Sequence, residues 1–365
     1  MVRSHHNVPD FDAERRKFIK TASLGAFAMT FPFPSIPENL KSIPMGVVVH
    51  SYGARWQSQV NSQKYPGFAN AIDMMEHCKQ IGAGGVQVLV NGWAEDFAKQ
   101  VRDRRENLDL YIEGSIGLPK SGDEVSKFEA EVLAAKEAGA NVLRTACLSG
   151  RRYVNFKTEE EFKTFKENAL RCIELAEPIV RKHKMKLAIE NHKDWHAKEL
   201  EEIIIGLGSE WVGVTLDFGN NVSFLEDPME VIKTLAPYAF STHVKDMGVK
   251  DYEEGFLLSE VPLGEGIIDL KTGVEWCKKF NPEITFSLEM ITRDPLEIPY
   301  LTDSYWATFS DTSAQSTAKV LRKIKENPYS GELPHTTGLS PEEKLAYEEE
   351  NVVSCLKYSR SSLGL

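Results

Sequence analysis

The sequence predicts a closed (β/α)8 barrel, and three observations lead to this fold class. Eight short runs rich in β-branched residues recur along the chain after its first forty residues. Amphipathic segments with the period of an α-helix separate these runs, and such alternation is typical of a parallel sheet built from right-handed βαβ units. The 365 residues also suffice for one barrel of about 250 residues with additions. An open, doubly wound sheet is the alternative, but no GxGxxG follows the first run.

The predicted strands read as apolar runs, as expected for strands that helices cover on the outside. In chain order they span residues 45–50, 85–90, 110–113, 141–144, 186–190, 212–217, 239–243 and 284–289. The predicted helices between them span 69–81, 94–107, 122–138, 158–184, 196–206, 228–236 and 269–280. In the fourth helix, apolar residues recur at helical spacing from Phe162 and Phe165 to Ala169 and Ile173, which indicates one buried face.

The chain beyond the eighth predicted strand is expected to form a helical C-terminal extension. A helix over 311–327 is predicted to close the barrel. Ser340 and Glu343 have the spacing of a capping box, and Pro341 occupies the first helical position. These residues predict a further helix that runs to about Arg360.

Residues 1–40 are predicted to be a targeting signal rather than part of the folded domain. The run Arg15-Arg16-Lys17-Phe18-Ile19-Lys20 and the weakly apolar stretch that follows it resemble a twin-arginine export signal. That stretch is too short, and too rich in Ala, Gly and Pro, to span a bilayer as a stable helix. The resemblance implies export to the periplasm without stable membrane insertion. The barrel is then expected over residues 41–295 and the extension over 296–365.

The composition excludes several classes of protein. Hydrophobic residues make up 42% of the chain and charged residues 27%, which excludes a disordered chain and a polytopic membrane protein. The formal net charge of −11 argues against a nucleic-acid binder, since such a protein needs a basic field. The five cysteines are widely spaced without a CxxC, so neither a disulfide framework nor a zinc ribbon is indicated.

Four candidate metal ligands lie at the ends of four consecutive predicted strands. They are Glu190, Asp217, His243 and Glu289. The carboxyl ends of all strands open on one face of a barrel, so these side chains are expected to converge there. Three carboxylates and one imidazole suit one hard or borderline divalent cation, namely Mn, Mg, Co or Zn. Without thiolates, the set does not fit a structural zinc cage.

The segments around these residues resemble those of sugar phosphate isomerase/epimerase proteins with the xylose isomerase-like TIM barrel. The segments are Ala188-Ile-Glu-Asn-His192, Leu216-Asp-Phe-Gly-Asn220, Thr242-His-Val-Lys-Asp246 and Ser287-Leu-Glu-Met290. In the ketose 3-epimerases of this superfamily, a Glu, an Asp, a His and a second Glu hold one metal. The resemblance implies that Glu190 and Glu289 are the paired catalytic glutamates. This chain has Asn220 where those epimerases have a histidine, so the substrate is expected to differ from a ketohexose.

Further residues are predicted to contact the substrate because they share a face or an edge with the ligands. His192 and Lys245 each lie two residues after a ligand, which places them on the same inward face. His192 is expected to bond a substrate hydroxyl or to orient Glu190, and Lys245 to hold a substrate oxygen or to pair with a nearby acid. Weaker candidates lie at early strand ends, and Asn220 completes the set. These weaker candidates are His50, Glu113 and Arg144, of which the last two could instead pair with each other.

The residue types predict removal of a proton next to a carbonyl, which leaves an enediolate. A metal stabilises that negative charge, and a second carboxylate can return the proton elsewhere. We therefore predict a metal-dependent isomerase or epimerase acting on a small sugar or sugar derivative. Two alternatives stay open: a lyase that cleaves a 3-keto-glycoside by β-elimination, and a non-catalytic sugar-binding barrel. The sequence also leaves open a homo-oligomer.

Overall fold

The computed structural model describes residues 43–309 and 312–365. The predicted export signal lies outside this part of the chain. The structure confirms the predicted fold class: eight parallel strands close into a barrel in sequential order, with helices outside. The barrel strands are β1 (Gly46–Val48), β2 (Gly85–Leu89), β3 (Tyr111–Ser115), β4 (Val142–Thr145), β5 (Lys186–Glu190), β6 (Val212–Asp217), β7 (Ala239–Val244) and β10 (Thr285–Leu288).

Apart from a short helix over Arg152–Asn155, which the sequence did not predict, the helices of the barrel begin and end close to the predicted positions. They are α1 (Ala71–Gln80), α2 (Glu95–Leu108), α3 (Val125–Glu137), α4 (Arg152–Asn155), α5 (Glu159–His183), α6 (Ala197–Leu207), α7 (Pro228–Leu235) and α8 (Leu270–Phe280). Side-chain caps fix several of the starts, because an oxygen before the first turn satisfies a free backbone N–H. Asn70, Thr158 and Asp227 cap α1, α5 and α7 in this way.

The 46 residues between His243 and Glu289 exceed one βα unit of about 30 residues, which predicts an inserted loop near residues 250–266. An insertion is present, but a β-hairpin occupies most of this range, so its prediction as a loop is wrong. Strands β8 (Asp246–Tyr252) and β9 (Gly255–Val261) pair antiparallel, and β11 (Leu296–Ile298) extends them to a three-stranded sheet outside the barrel. The Asp246 carboxylate accepts backbone N–H groups of Gly264, Gly266 and Ile268, which ties the returning chain to the end of β7. The hairpin thereby lies beside the open end of the barrel.

The helical C-terminal extension is also confirmed. It contains α9 (Asp303–Trp306), α10 (Ala314–Glu326) and α11 (Pro341–Tyr358), and a π turn follows over Ser359–Leu363. Ser340 and Glu343 form the predicted capping box of α11. Glu348 of α11 accepts the backbone N–H groups of Ala54 and Arg55 in the loop after β1. This helix therefore packs against the loop of the first βα unit.

The barrel interior and the layer beneath the helices form one apolar core. Val47, Val88, Leu187 and Leu216 are among its fully buried strand residues. In the described part of the chain, none of the helices has the length and hydropathy that crossing a bilayer requires.

Candidate metal centre

The four predicted ligands converge at the carboxyl ends of neighbouring strands. Glu190 and Asp217 are the last residues of β5 and β6, and Glu289 directly follows β10. His243 lies opposite Asp217 in the ladder of β6 and β7. Because these strands are adjacent and in register, one ligand atom from each of the four residues lies within 4.8 Å of the others. All four side chains are buried.

The atoms at the centre of this cluster suit a divalent cation. Nδ1 of His243 lies 3.5 Å from Oε1 of Glu190, 3.5 Å from Oε1 of Glu289 and 3.9 Å from Oδ2 of Asp217. Among the described residues, the buried Nδ1 of His243 has no hydrogen-bond partner, and the buried Oδ2 of Asp217 has only the ammonium of Lys245 beside it, at 2.8 Å. Buried polar atoms without partners are costly, and an ion held by three oxygens and one nitrogen would satisfy them. The residues therefore fit one divalent metal.

A chain of hydrogen bonds orients the imidazole of His243. Its Nε2–H donates to Oε1 of Gln87 over 2.8 Å, which leaves Nδ1 directed at the carboxylates. Gln87 in turn donates to Glu113 over 2.8 Å, and Glu113 also accepts the hydroxyl of Thr285. Glu113, which the sequence predicts to contact the substrate, thus belongs to the chain of hydrogen bonds that orients His243. It does not pair with Arg144, the alternative suggested by the sequence.

Arg144 and Asn220 hold Glu190 from two sides. Nε of Arg144 donates to Oε2 of Glu190 over 2.6 Å, and Nδ2 of Asn220 donates to Oε1 over 3.0 Å. Burial raises the pKa of Glu190, but the charges of Arg144 and His243 lower it more, so its pKa lies well below the ordinary value. Glu190 is therefore a carboxylate at neutral pH.

Lys245 lies among the ligands themselves. Its Nζ donates to Oε2 of Glu289 over 2.5 Å and lies 2.8 Å from Oδ2 of Asp217. It thus pairs with nearby acids, while the adjacent Asp246 accepts backbone N–H groups alone within the described part of the chain. The pKa of Glu289, which burial alone would raise, falls well below its usual value because Lys245 and His243 are close. Both paired glutamates are thus ionised.

His50 and His192 lie beside the cluster without joining it. Burial lowers the pKa of His50 against the pull of Glu289. Burial also lowers the pKa of His192, to about 3, although Glu190 opposes this effect. Both imidazoles are neutral at pH 7, and the buried Nδ1 of His192 has no partner in the described chain. These histidines can therefore offer hydrogen bonds but no charge.

Three charged residues of the site were not found from the sequence. Nζ of Lys193 donates to Oδ1 of Asn220 over 2.5 Å, and Arg293 donates to Glu260 with its closer nitrogen at 2.6 Å. Glu260 belongs to the hairpin, whose prediction as a loop hid its inward position. Lys193 and Arg293 could have been predicted from their spacing, since each follows a metal ligand by three or four residues in the loop after a barrel strand.

Comparison with known proteins agrees with the fold. Residues 75–324 match the xylose isomerase-like TIM barrel family. The chain is 24% identical over 232 residues to the 3-oxo-isoapionate decarboxylase of Pectobacterium atrosepticum, covering 62% of this chain and 78% of that protein.

Solved structures with low sequence identity share the fold. A D-psicose 3-epimerase determined in the presence of D-fructose has a TM-score of 0.56 at 15% identity, covering 88% of this chain and 100% of that one. A Mycobacterium smegmatis barrel in complex with magnesium has a TM-score of 0.52 at 13% identity, covering 78% of this chain and 98% of that one. A 3-keto-D-glucoside 4-epimerase from E. coli has a TM-score of 0.52 at 11% identity, covering 78% of this chain and 100% of that one. With the family match over residues 75–324, the closed barrel assigns the chain to the xylose isomerase-like TIM barrel family.

Proposed function

We propose that this protein is a metal-dependent sugar isomerase or epimerase that removes a proton next to a carbonyl. Glu190, Asp217, His243 and Glu289 would hold one divalent ion, chosen from Mn, Mg, Co and Zn. Glu190 and Glu289 would also transfer the proton. The observation that carries the proposal is the convergence of these four buried side chains within 4.8 Å.

The residues of the chain are suited to the two halves of a proton transfer. A bound divalent ion would supply positive charge to the oxyanion that forms when the proton leaves. Glu190 and Glu289 are ionised, so either can accept a proton. They project from β5 and β10, with β6 and β7 between them, and so approach the centre from different sides. Return of the proton from the opposite side would epimerise the carbon, and return to the neighbouring carbon would isomerise the sugar.

The other polar residues would bind and orient the substrate. His50 and His192 are neutral, so each can bond a sugar hydroxyl without adding charge. Arg144 and Asn220 would keep Glu190 ionised and fixed in orientation, which is the requirement for a base that must meet one particular C–H bond.

A lyase is the second candidate function. The relative from Pectobacterium atrosepticum is named as a 3-oxo-isoapionate decarboxylase. Cleavage of a bond near a carbonyl is chemistry that the same metal site could support. Loss of carbon dioxide would leave an enediolate directly, whereas a β-leaving group would be expelled from the enediolate that removal of the proton forms. A non-catalytic sugar-binding barrel is disfavoured because both paired glutamates are present.

Deuterium exchange tests the proposal. The metal-loaded protein is incubated in deuterated water with ketoses, aldoses and keto-glycosides, and the products are examined by NMR and mass spectrometry. We expect metal-dependent deuterium at a carbon next to a carbonyl, reduced at least a hundredfold in Glu289→Gln. The matched control is Glu131→Gln, which alters a buried carboxyl on α3 outside the site. An equilibrating sugar pair indicates an epimerase or isomerase, and a released fragment indicates a lyase. Absence of exchange from every candidate would contradict the proposal.

We further propose that the protein is exported to the periplasm by the twin-arginine route, on the strength of residues 15–20. Cell fractionation of the wild type and of a variant with Arg15→Lys and Arg16→Lys tests this. The wild type is expected in the periplasm and the variant in the cytoplasm. Equal distribution of the two would contradict the proposal.

A further inference from the structure

Four cationic side chains surround the metal-ligand cluster, and this number is larger than a neutral sugar requires. They are Arg144, Lys193, Lys245 and Arg293. They contact, directly or through Asn220, four buried carboxylates, which belong to Glu190, Asp217, Glu260 and Glu289. Within the described residues of this cluster, these positive and negative charges balance once His243 has given up its proton, as a metal ligand must. A divalent ion would leave two positive charges in excess in a buried site.

Excess buried charge is unfavourable unless a counter-charge accompanies it. Other acids in the neighbourhood do not supply one. Asp194 accepts the backbone N–H groups of Leu148 and Trp195, and burial raises its pKa to about 8. Glu113 accepts from Gln87 and Thr285 and, among the described residues, pairs with none of the four cations. The charge that completes the loaded site would have to enter with the ligand.

The cations lie at the open end of the barrel, beside the metal ligands. Lys193, Asn220, Lys245 and Arg293 each follow a metal ligand by two to four residues, in the loops that begin at the open end of the barrel. The ammonium groups of Lys193 and Lys245 meet at one atom, Oδ1 of Asn220, at 2.5 and 3.3 Å. Lys245 and Arg293 both approach the buried Glu260, at 4.0 and 2.6 Å. The cations thus form one continuous group beside the ligands.

The amide of Asn220 connects two lysines to one metal ligand. Its Oδ1 accepts from two lysines while its Nδ2 donates to Glu190 over 3.0 Å. A neutral histidine has one acceptor nitrogen and one donor nitrogen, so it could not receive both ammonium groups. The amide therefore suits a site in which two lysines stand next to the catalytic carboxylate.

We infer that the substrate is a sugar acid, whose carboxylate is bound by Lys193, Lys245 and Arg293 while its carbonyl end meets the metal site. This inference deepens the proposed function and rests on it. Lys245 contacts two metal ligands, and Lys193 is one amide away from them. The anionic group must therefore lie close to the reacting carbonyl. A carboxylate on the sugar's own carbon chain meets this requirement better than a phosphate ester, which adds length at the far end.

Binding measurements with a matched pair of ligands test the inference without turnover. D-fructose and 2-keto-D-gluconate have the same carbonyl and differ in a hydroxymethyl against a carboxylate. We expect calorimetry with the Mg²⁺-loaded protein to show at least about tenfold tighter binding of the acid, since hydrogen bonds between charged groups are the strong ones. The preference is expected to fall as salt concentration rises. D-fructose 6-phosphate serves as the phosphate arm.

Substitutions then locate the anion. Lys193→Met and Arg293→Gln are each expected to remove most of the preference for the acid, measured as the ratio of the dissociation constants of D-fructose and the acid in protein whose metal content has been determined. The control is Lys198→Met, an exposed lysine on α6. Should Lys193→Met fail to fold, the half-exposed Arg293 gives the second variant, and the salt dependence of the wild type gives an independent measurement.

Three outcomes would overturn the inference: no tighter binding of the acid, tighter binding of the phosphate alone, or a preference that survives both substitutions. These are separable from the proposed function. If deuterium exchange occurs with a neutral sugar but not with a sugar acid, the proposed isomerase or epimerase activity stands and the sugar-acid inference fails. If the protein prefers the carboxylate ligand but catalyses no exchange, the anion-binding site stands and the proposed isomerase or epimerase activity is contradicted.

Discussion

His243 donates its Nε2–H to Gln87 over 2.8 Å, and this bond turns Nδ1 toward the three carboxylates of the candidate metal site. Gln87→Leu removes the acceptor, so the imidazole can rotate or change tautomer. We expect metal affinity to fall about 10- to 100-fold, as is usual when the partner of a ligating histidine is lost. Titration with Mn²⁺ followed by electron paramagnetic resonance measures this.

Gln87→Glu is the control, because a carboxylate still accepts the Nε2–H. Burial raises the pKa of Glu113, so this neighbour can supply the proton that the pair of acids would share. We expect this variant to keep affinity within about threefold of the wild type. Equal affinities for Gln87→Leu and the wild type would show that Gln87 does not orient His243.

The second prediction concerns protons released when the metal binds. Burial lowers the pKa of His243, but Glu289 and Glu190 raise it more, to about 10 in the metal-free protein. A ligating imidazole must give up its Nδ1 proton. We therefore expect about one proton to be released per ion at neutral pH, and affinity to rise about tenfold per pH unit. Calorimetry of Mn²⁺ binding in buffers of different ionisation enthalpy measures the proton count. Binding without proton release would mean that His243 is neutral beforehand.

The barrel and the four strand-end residues follow from local sequence patterns. Each strand is a short β-branched run, and Glu190, Asp217 and His243 lie at or near the ends of such runs. In a closed parallel barrel all these ends meet, so chain order alone brings the side chains together. This explains how residues up to 99 positions apart, such as Glu190 and Glu289, could be placed at one site from the sequence.

The pairing of charges could not be predicted in the same way. Arg144 contacts Glu190 rather than Glu113, and Lys245 contacts Glu289 rather than Asp246. Such choices depend on side-chain direction and on loops that follow the strands, and neither has a period in the sequence. The hairpin was missed because its turn residues, Glu253 and Glu254, carry charges and lack a common turn motif. Because the hairpin was not predicted, its residue Glu260, the buried partner of Arg293, was not predicted as part of the site either.

The third prediction concerns Lys245→Met, whose effect on stability should differ between the metal-free and the metal-loaded protein. In the metal-free protein the ammonium offsets the charges of Glu289 and Asp217, so its loss leaves buried carboxylates unpaired. We expect the free energy of unfolding to fall by about 3 kcal/mol in the presence of a chelator. Added Mn²⁺ should stabilise the variant more than the wild type, because the ion would no longer compete with the lysine for the same oxygens. Thermal unfolding with and without metal gives both values.

Lys250→Met provides the comparison for that experiment. Lys250 lies on the hairpin, and its Nζ is 3.6 Å from an exposed Glu332. Its replacement should change stability by less than about 1 kcal/mol, with the same response to metal as the wild type. If Lys245→Met gained no more from Mn²⁺ than Lys250→Met, the lysine and the ion would not share their partners.

The last prediction concerns the helix α11 and the loop after β1. Burial raises the pKa of Glu348 to about 7, against the opposing effect of the N–H groups that it accepts from Ala54 and Arg55. Between about pH 4.5 and pH 7 the folded protein therefore holds a proton that the unfolded chain releases. The contribution of Glu348 to stability is present below this window and is lost as the pH rises through it.

Glu348→Gln cannot ionise, so it should gain on the wild type as the pH rises, even though its amide oxygen replaces only one of the two acceptors. At about pH 5 we expect the variant to be the less stable of the two, and by about pH 8 the difference should shift in its favour by on the order of 1 kcal/mol. Urea unfolding across this range measures the difference, with Glu350→Gln on the exposed side of the same helix as the comparison. A difference that stays constant with pH would mean that Glu348 is ionised throughout, and that α11 holds the β1 loop with a charged carboxylate.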